Sequence, residues 1–318
     1  MALPRRTLGG SGIDVSVLSL GSWRTYERIS RGQGQALMRA AREFGITFLD
    51  DARYDDVTGR APLRTGYSEV VFGELFRRVG WRRDEVVVAN KLWWEFWPQQ
   101  SAAQELDESL RRMGFDHLDL VYSWASATAP DVEQIVTAVG ELIASGKVRA
   151  WGTGNWEPAA HAEAGSIARQ LGLPAPCAAQ LPYNLTLRDY VEGVEAIDAL
   201  DVSGAAVVAS FVLHGGALSG KYSSPSPASG RWAKDLDDPG LTDALRTAQA
   251  LGGLAERLET TSAALALAFA LANDRVASVL FGATTVEQVK ENVAAVRLFE
   301  RLQPSELSDL RALGSPRP

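Results

Sequence analysis

The sequence predicts a (β/α)8 barrel with an N-terminal β-hairpin closing its bottom, and three observations carry that expectation. Short apolar runs suited to buried parallel strands recur eight times along the chain. Amphipathic helical stretches stand between them, the alternation expected of βαβ units wound into one parallel sheet. The length of 318 residues is one at which such a barrel forms one domain, 1–318, and no composition shift marks a second.

The predicted strands are 15–20, 47–50, 86–90, 118–122, 149–153, 178–181, 205–210 and 278–281. The helices carry their own punctuation. Leu37, Ala40, Ala41 and Phe44 form an apolar stripe that ends at Gly45. Ser101 with Gln104 reads as a capping box, with Leu106, Leu110 and Met113 on the buried face and Gly114 as the left-handed stop. Asp131 opens the next helix, whose stripe is Ile135, Val139, Leu142 and Ile143, before Gly146. The glycine-rich Thr7 to Gly12 stretch precedes the first strand, so it fits the closing hairpin better than a phosphate loop. Residues 221–239, rich in Ser, Pro and Gly, form a long connection of the kind used as a lid or belt.

Charge and cysteine content limit the function. With 46% hydrophobic and 22% charged residues the chain has a core to bury, and its net charge of −7 argues against nucleic acid or an anionic membrane as partner. The single cysteine, Cys177, excludes an internal disulfide and a cysteine-rich metal site. Met1 to Arg6 lead into no apolar signal segment, so the expected location is cytoplasmic and the expected partner a small-molecule substrate. The oligomeric state is not legible.

Barrel sites lie at strand C-termini and in the loops that follow. Those positions hold Gly21-Ser22-Trp23, Asp50-Asp51 with Tyr54, Lys91, Trp124, Gly154-Asn155-Trp156, Gln180 with Tyr183-Asn184, Ser210-Phe211 and the loop to Tyr222, and Gly282 with Thr284-Thr285. A hydrolytic carboxylate pair is disfavoured, because neighbouring Asp50 and Asp51 point to opposite faces of a strand.

In order and spacing this set resembles the aldo/keto reductase superfamily over nearly the whole chain. Further matching blocks are Leu8 to Gly12, Gly45 to Asp50, Ser68-Glu69 with Gly73, Gly146 to Thr153, Ser219 to Tyr222, and Glu287-Gln288 with Glu291-Asn292. The branch most resembled contains bacterial reductases and potassium-channel β subunits. The resemblance implies hydride transfer from a nicotinamide, NADP(H), to a carbonyl, with a Tyr as proton donor whose pKa is depressed by Lys91 and Asp50. Tyr54 is the expected donor, four residues after Asp50 where the family usually has five, and Tyr67 is the competitor. Trp124 stands where the family has a carbonyl-orienting His, and an indole donates one hydrogen bond but neither accepts nor carries a proton. Imine or iminium reduction is therefore weighed beside carbonyl reduction. His214 is a loop His within reach of the mouth, and His117 and His161 have no expected role. Trp93, Trp94, Phe96 and Trp97, with Trp23, Trp124 and Trp156, are expected to surround the nicotinamide, Trp97 serving packing.

For the cofactor, the resemblance implies contacts from Gly21, Ser22, Trp23 and Asp50. Asn155 and Gln180 would hold the carboxamide, beside Gly154 where the family usually has Ser. Ser210 and Phe211, or Tyr183, would lie against the ring, and Ser219, Gly220, Lys221 and Arg231 along the pyrophosphate. Gly282, Thr284, Gln288, Glu291 and Asn292 would hold the adenosine end. Thr285 also reads as a helix N-cap with Gln288 as its capping partner, so Gln288 has a structural reading beside the functional one. Without an Arg at 288, the choice between NADPH and NADH is weakly specified. The alternative function is a nicotinamide-binding regulatory or partner subunit with little turnover.

Overall fold

The computed structural model describes residues 3–222, 230–233 and 235–314. Two short strands, β1 (Arg5–Thr7) and β2 (Asp14–Ser16), pair antiparallel. The eight that follow, β3 (Leu18–Gly21), β4 (Phe48–Asp50), β5 (Val87–Leu92), β6 (Leu118–Trp124), β7 (Val148–Gly154), β8 (Ala178–Pro182), β9 (Ala206–Ser210) and β10 (Val276–Gly282), are parallel. They close in the order β10-β3-β4-β5-β6-β7-β8-β9, with helices around them. The chain is thus a (β/α)8 barrel with an N-terminal hairpin.

One predicted strand is corrected. The apolar run 15–20 is not continuous: Val15 belongs to the hairpin and only Leu18 onward enters the barrel. The Ser16 hydroxyl donates to the Leu18 carbonyl at 2.6 Å and accepts from the Thr47 amide at 2.9 Å, which turns the chain between the two strands. Leu8, Ile13 and Val15 then pack with Phe48, Val87, Leu120 and Val208 inside the barrel and plug its bottom. Gly9 permits this: it has φ +48°, and a Cβ there would lie 2.4 Å from the Gly204 carbonyl oxygen.

The helix signals read from the sequence operate as capping chemistry. Ser101 accepts from the Gln104 amide, and Gly114 ends that helix, Ala102–Met113, in the left-handed conformation. Asp131 caps Val132–Ala144 in the same way, and Thr285 caps Val286–Arg301.

Strand alternation sends one set of side chains outward against the helices, among them Leu49, Val88 and Val121. The other set points inward, and register aligns it at the mouth. Lys91 stands beside Tyr122, and Trp124, Gly154 and Gln180 stand side by side on β6, β7 and β8.

Candidate active site

Asp50, at the end of β4, and Lys91, on β5, are both buried and form an ion pair at 2.6 Å. The second Asp50 oxygen accepts from Gln180 Nε2 at 2.9 Å. The Tyr54 hydroxyl lies 3.0 Å from Lys91 Nζ, on the loop that leaves β4. The competitor Tyr67 is elsewhere: it opens the helix Tyr67–Val79, and its hydroxyl accepts from Arg31 at 2.8 Å. The interval of four residues suffices because the Tyr54 amide bonds the Ala52 carbonyl at 2.8 Å, a tight turn that brings the phenol back over Lys91.

Burial pushes the Tyr54 phenol well above its usual range, and the carboxylates of Asp50, Asp51, Glu69 and Glu27 act in the same direction. This is opposite to the depressed value the resemblance implies. Desolvation and four acidic neighbours outweigh the single ammonium, so the phenol is held protonated, the form that can give a proton.

Asp51 faces away from Asp50, as strand alternation requires. One of its oxygens accepts from Ser22 and from Ser68, the latter at 2.7 Å, and the other has no partner among the described residues. The Ser22 hydroxyl, expected at the cofactor, is thereby engaged behind the strand. Burial first, and Glu69 second, push the Asp51 carboxyl up to about 7. Glu69 is itself paired with Arg112 and accepts from Asn90 at 2.9 Å.

The aromatic residues divide. Trp93 and Trp124 are half-buried at the mouth, with ring centroids 5.5 Å apart, and Tyr54 meets Trp93 edge-on at 6.0 Å. Trp94 is instead buried in the core with its N–H on Ser123 at 2.9 Å, and Trp97 and Trp156 pack against the same core. Phe96 is 52% exposed, under the guanidinium of Arg53. Tyr183 is also corrected: it is buried outside the barrel against Phe269, its hydroxyl on Glu192, so it has no ring to offer the mouth. Phe211 remains, at φ +55° and within 5.9 Å of Arg231.

Around the rim, the Arg231 guanidinium stacks 4.2 Å from the Trp23 ring centroid, and Arg24 lies over the same ring at 5.1 Å. Arg231 forms no ion pair with a described residue, and burial together with the charges of Arg24 and Arg28 lowers it to about 10. A half-buried guanidinium without an ion-pair partner among the described residues is suited to an anion such as a pyrophosphate. Trp232 fastens the segment by donating to the His214 carbonyl at 2.9 Å, while the buried His214 ring lies between Phe211 and Trp232. Ser219 donates to the Gly216 carbonyl at 2.8 Å, Gly220 has φ +79°, and Lys221 lies 4.9 Å from the Tyr222 ring. Residues 223–229 and Lys234 of the long connection lie outside the described residues.

Ser210 ends β9, and Gly21 and Gly282 pair across β3 and β10. Asn155 is exposed beside Gln180, its amide on the Gln180 carbonyl at 3.0 Å and its φ +55° turning the side chain out of the strand. At the adenosine end the Gln288 Oε1 accepts from the Thr284 amide at 2.7 Å and the Thr285 amide at 3.3 Å, so its carbonyl serves the cap. Asn292 is buried one turn further on, and Glu291 is exposed.

Of the histidines, His161 is buried between Thr153 and Ser203, at 2.8 and 2.7 Å, and burial lowers it to about 4. His117 pairs with Asp116. Sequence reasoning passed over Tyr122, which is fully buried and whose ring lies 5.8 Å from Lys91 Nζ. The inward alternation of Leu120, Tyr122 and Trp124 was the available signal. Among the described residues no cluster of three or more His, Cys, Asp or Glu could hold a metal, and no helix is long and apolar enough to cross a membrane.

Barrel, Asp-Lys pair and mouth belong together: the chain is a member of the aldo/keto reductase family, whose model matches residues 17–315. It is similar to a probable voltage-gated potassium channel subunit beta of Oryza sativa subsp. japonica, 32% identical with 98% of this chain and 97% of the relative covered. A protein of the same description from Arabidopsis thaliana is 29% identical over the same shares.

Proposed function

We propose that this protein is a cytoplasmic NADPH-dependent oxidoreductase that reduces a small carbonyl or imine substrate, with Tyr54 as proton donor. The observation that carries the reading is the contact of the Tyr54 hydroxyl with Lys91 Nζ at 3.0 Å, where Lys91 is already paired with Asp50. The donor set suits a nicotinamide dinucleotide: amides at Asn155 and Gln180, free guanidinium at Arg231 and a helix N-terminus at Thr285. When bound, NADPH supplies the hydride and leaves a cationic ring.

The residues then divide the remaining work. Tyr54 gives its proton to the substrate oxygen as the carbonyl pair moves there, and Lys91 holds the resulting phenolate by hydrogen bond and charge. Asp50 keeps Lys91 charged and aimed, and Gln180 fixes Asp50 from the other side. Trp124 shields the reacting carbon from water but transfers no proton, so orientation falls to Tyr54 and the aromatic surface. An iminium needs no proton from the protein, which keeps it within the substrate range.

The test is NADPH oxidation against aldehydes, ketones, cyclic imines and keto-sugars, with Tyr54→Phe and Trp124→His beside the parent. Tyr54→Phe should lower kcat on carbonyls at least 100-fold while the affinity for NADPH, read by its fluorescence, stays within threefold. Full activity in Tyr54→Phe would remove the donor assignment, and failure to bind NADPH would remove the reading. The likeness to two probable channel β subunits favours one other role, that of a partner subunit, here taken to bind the nicotinamide with little turnover. Tight NADPH binding with no turnover across the panel would favour it.

A further inference from the structure

Trp124 and Gly154 stand in register on neighbouring strands, and their geometry excludes a side chain at 154. A Cβ built on Gly154 would fall 2.2 Å from Trp124 Cε3 and 2.6 Å from Cζ3, far inside any real carbon contact. The Cε3–Cζ3 edge of the indole therefore occupies the space that any residue other than glycine would need. The φ of Gly154 is not in the left-handed region, so the ring, and not backbone conformation, demands the glycine.

The ring is one part of a wall. Trp93 meets Trp124 at 5.5 Å and Tyr54 at 6.0 Å, so three rings run continuously to the proton donor. The wall is held from behind: the buried Glu105 accepts from the Trp93 amide at 2.8 Å and the Trp94 amide at 3.2 Å. Lys91 Nζ lies 5.4 Å from the Tyr54 ring centroid and 5.6 Å from that of Trp124.

We infer that Trp124, seated on Gly154, is the specificity-determining residue of the site and selects a substrate with a planar ring beside its reducible carbon. The inference rests on the reductase reading above and narrows it, placing aryl carbonyls ahead of small aliphatic aldehydes. A planar ring stacks on the indole and removes both faces from water, whereas a short alkyl chain covers only part of it.

The experiment is a cycle of Gly154→Ser, Trp124→Ala and the double variant, with benzaldehyde and butanal as substrates. Trp124→Ala should lower the benzaldehyde-to-butanal ratio of kcat/KM at least tenfold, mainly through the KM for benzaldehyde. Gly154→Ser alone should lower Tm, and in the Trp124→Ala background it should not, because the ring that collides with it is gone. An unchanged ratio would overturn the assignment of specificity. An equal Tm loss from Gly154→Ser in both backgrounds would overturn the interlock. If the parent reduces neither aldehyde nor any other member of the panel above, the reductase reading fails separately. Saturation-transfer NMR then decides the inference: contact of benzaldehyde with the parent but not with Trp124→Ala upholds it, and equal or absent contact overturns it.

Discussion

Replacing Asp51 with Asn should flatten the dependence of stability on pH between 5 and 8. Asp51 is fully buried, one oxygen bonded by Ser22 and Ser68 and the other unpartnered among the described residues. Burial and Glu69 raise its carboxyl to about 7 in the fold, against roughly 3.9 in an unfolded chain. Between those values the native state holds a proton that the unfolded state has released. Stability contributed by the group is therefore full below pH 4 and is lost as pH rises toward 7. At about 1.4 kcal/mol per pH unit, the two units from 5 to 7 amount to about 3 kcal/mol. Asn keeps the shape and an acceptor for the two serines but carries no charge at any pH. Urea unfolding of parent and variant at pH 5 and pH 8 measures the difference, and groups common to both cancel to first order. The variant should gain about 3 kcal/mol relative to the parent between the two conditions. With an unfolding entropy of about 2.1 cal/mol/K per residue over 318 residues, that corresponds to a change of ~4 °C in the Tm difference. A stability difference that stays the same at both pH values would show that Asp51 is ionised throughout, and the reasoning from burial would be wrong.

The Asp50–Lys91 pair should behave as a unit in stability as well as in chemistry. Asp50→Asn and Lys91→Met each leave the other charge buried and should cost about 3–5 kcal/mol, whereas the double variant should lose less than either single one; additive losses in urea unfolding would contradict the pairing. His161 gives the opposite pH dependence to Asp51. Its imidazole is lowered by burial to about 4, so the stability it contributes is present above the ordinary value near 6.5 and is lost as pH falls through that window. Subtracting a His161→Gln curve from the parent between pH 7 and pH 4 should show a loss of about 3 kcal/mol, and a flat difference would place the ring in contact with water.

The legible part of the site was the part that local pattern encodes. Strand periodicity predicted that Asp50 and Asp51 face opposite ways, and they do, one to Lys91 and the other to Ser22 and Ser68. Capping spacing predicted the helix starts at Ser101, Asp131 and Thr285. The tryptophans after β5 were read together because adjacency in sequence gives no depth. The structure separates Trp93 at the mouth from Trp94 in the core through a left-handed residue at Trp94, φ +59°. Tyr183 was misplaced for a similar reason: it follows β8 by one residue, but its ring turns outward to Phe269, a partner 86 positions further along the chain.

By itself the sequence determined the barrel, its hairpin plug, the capped helices and the residue types at the strand ends, because periodicity and capping act over a few neighbouring residues. Tertiary structure alone decided which of those residues meet. The four-residue interval to Tyr54 acquired meaning when the turn at Ala52 brought the phenol to Lys91, and the glycine at 154 when the indole of Trp124 was found lying on it. Trp124 and Gly154 are 30 positions apart in the chain and side by side in the sheet. Steric exclusion between them depends on the register of β6 against β7, which is set by closure of the whole barrel and by no local segment.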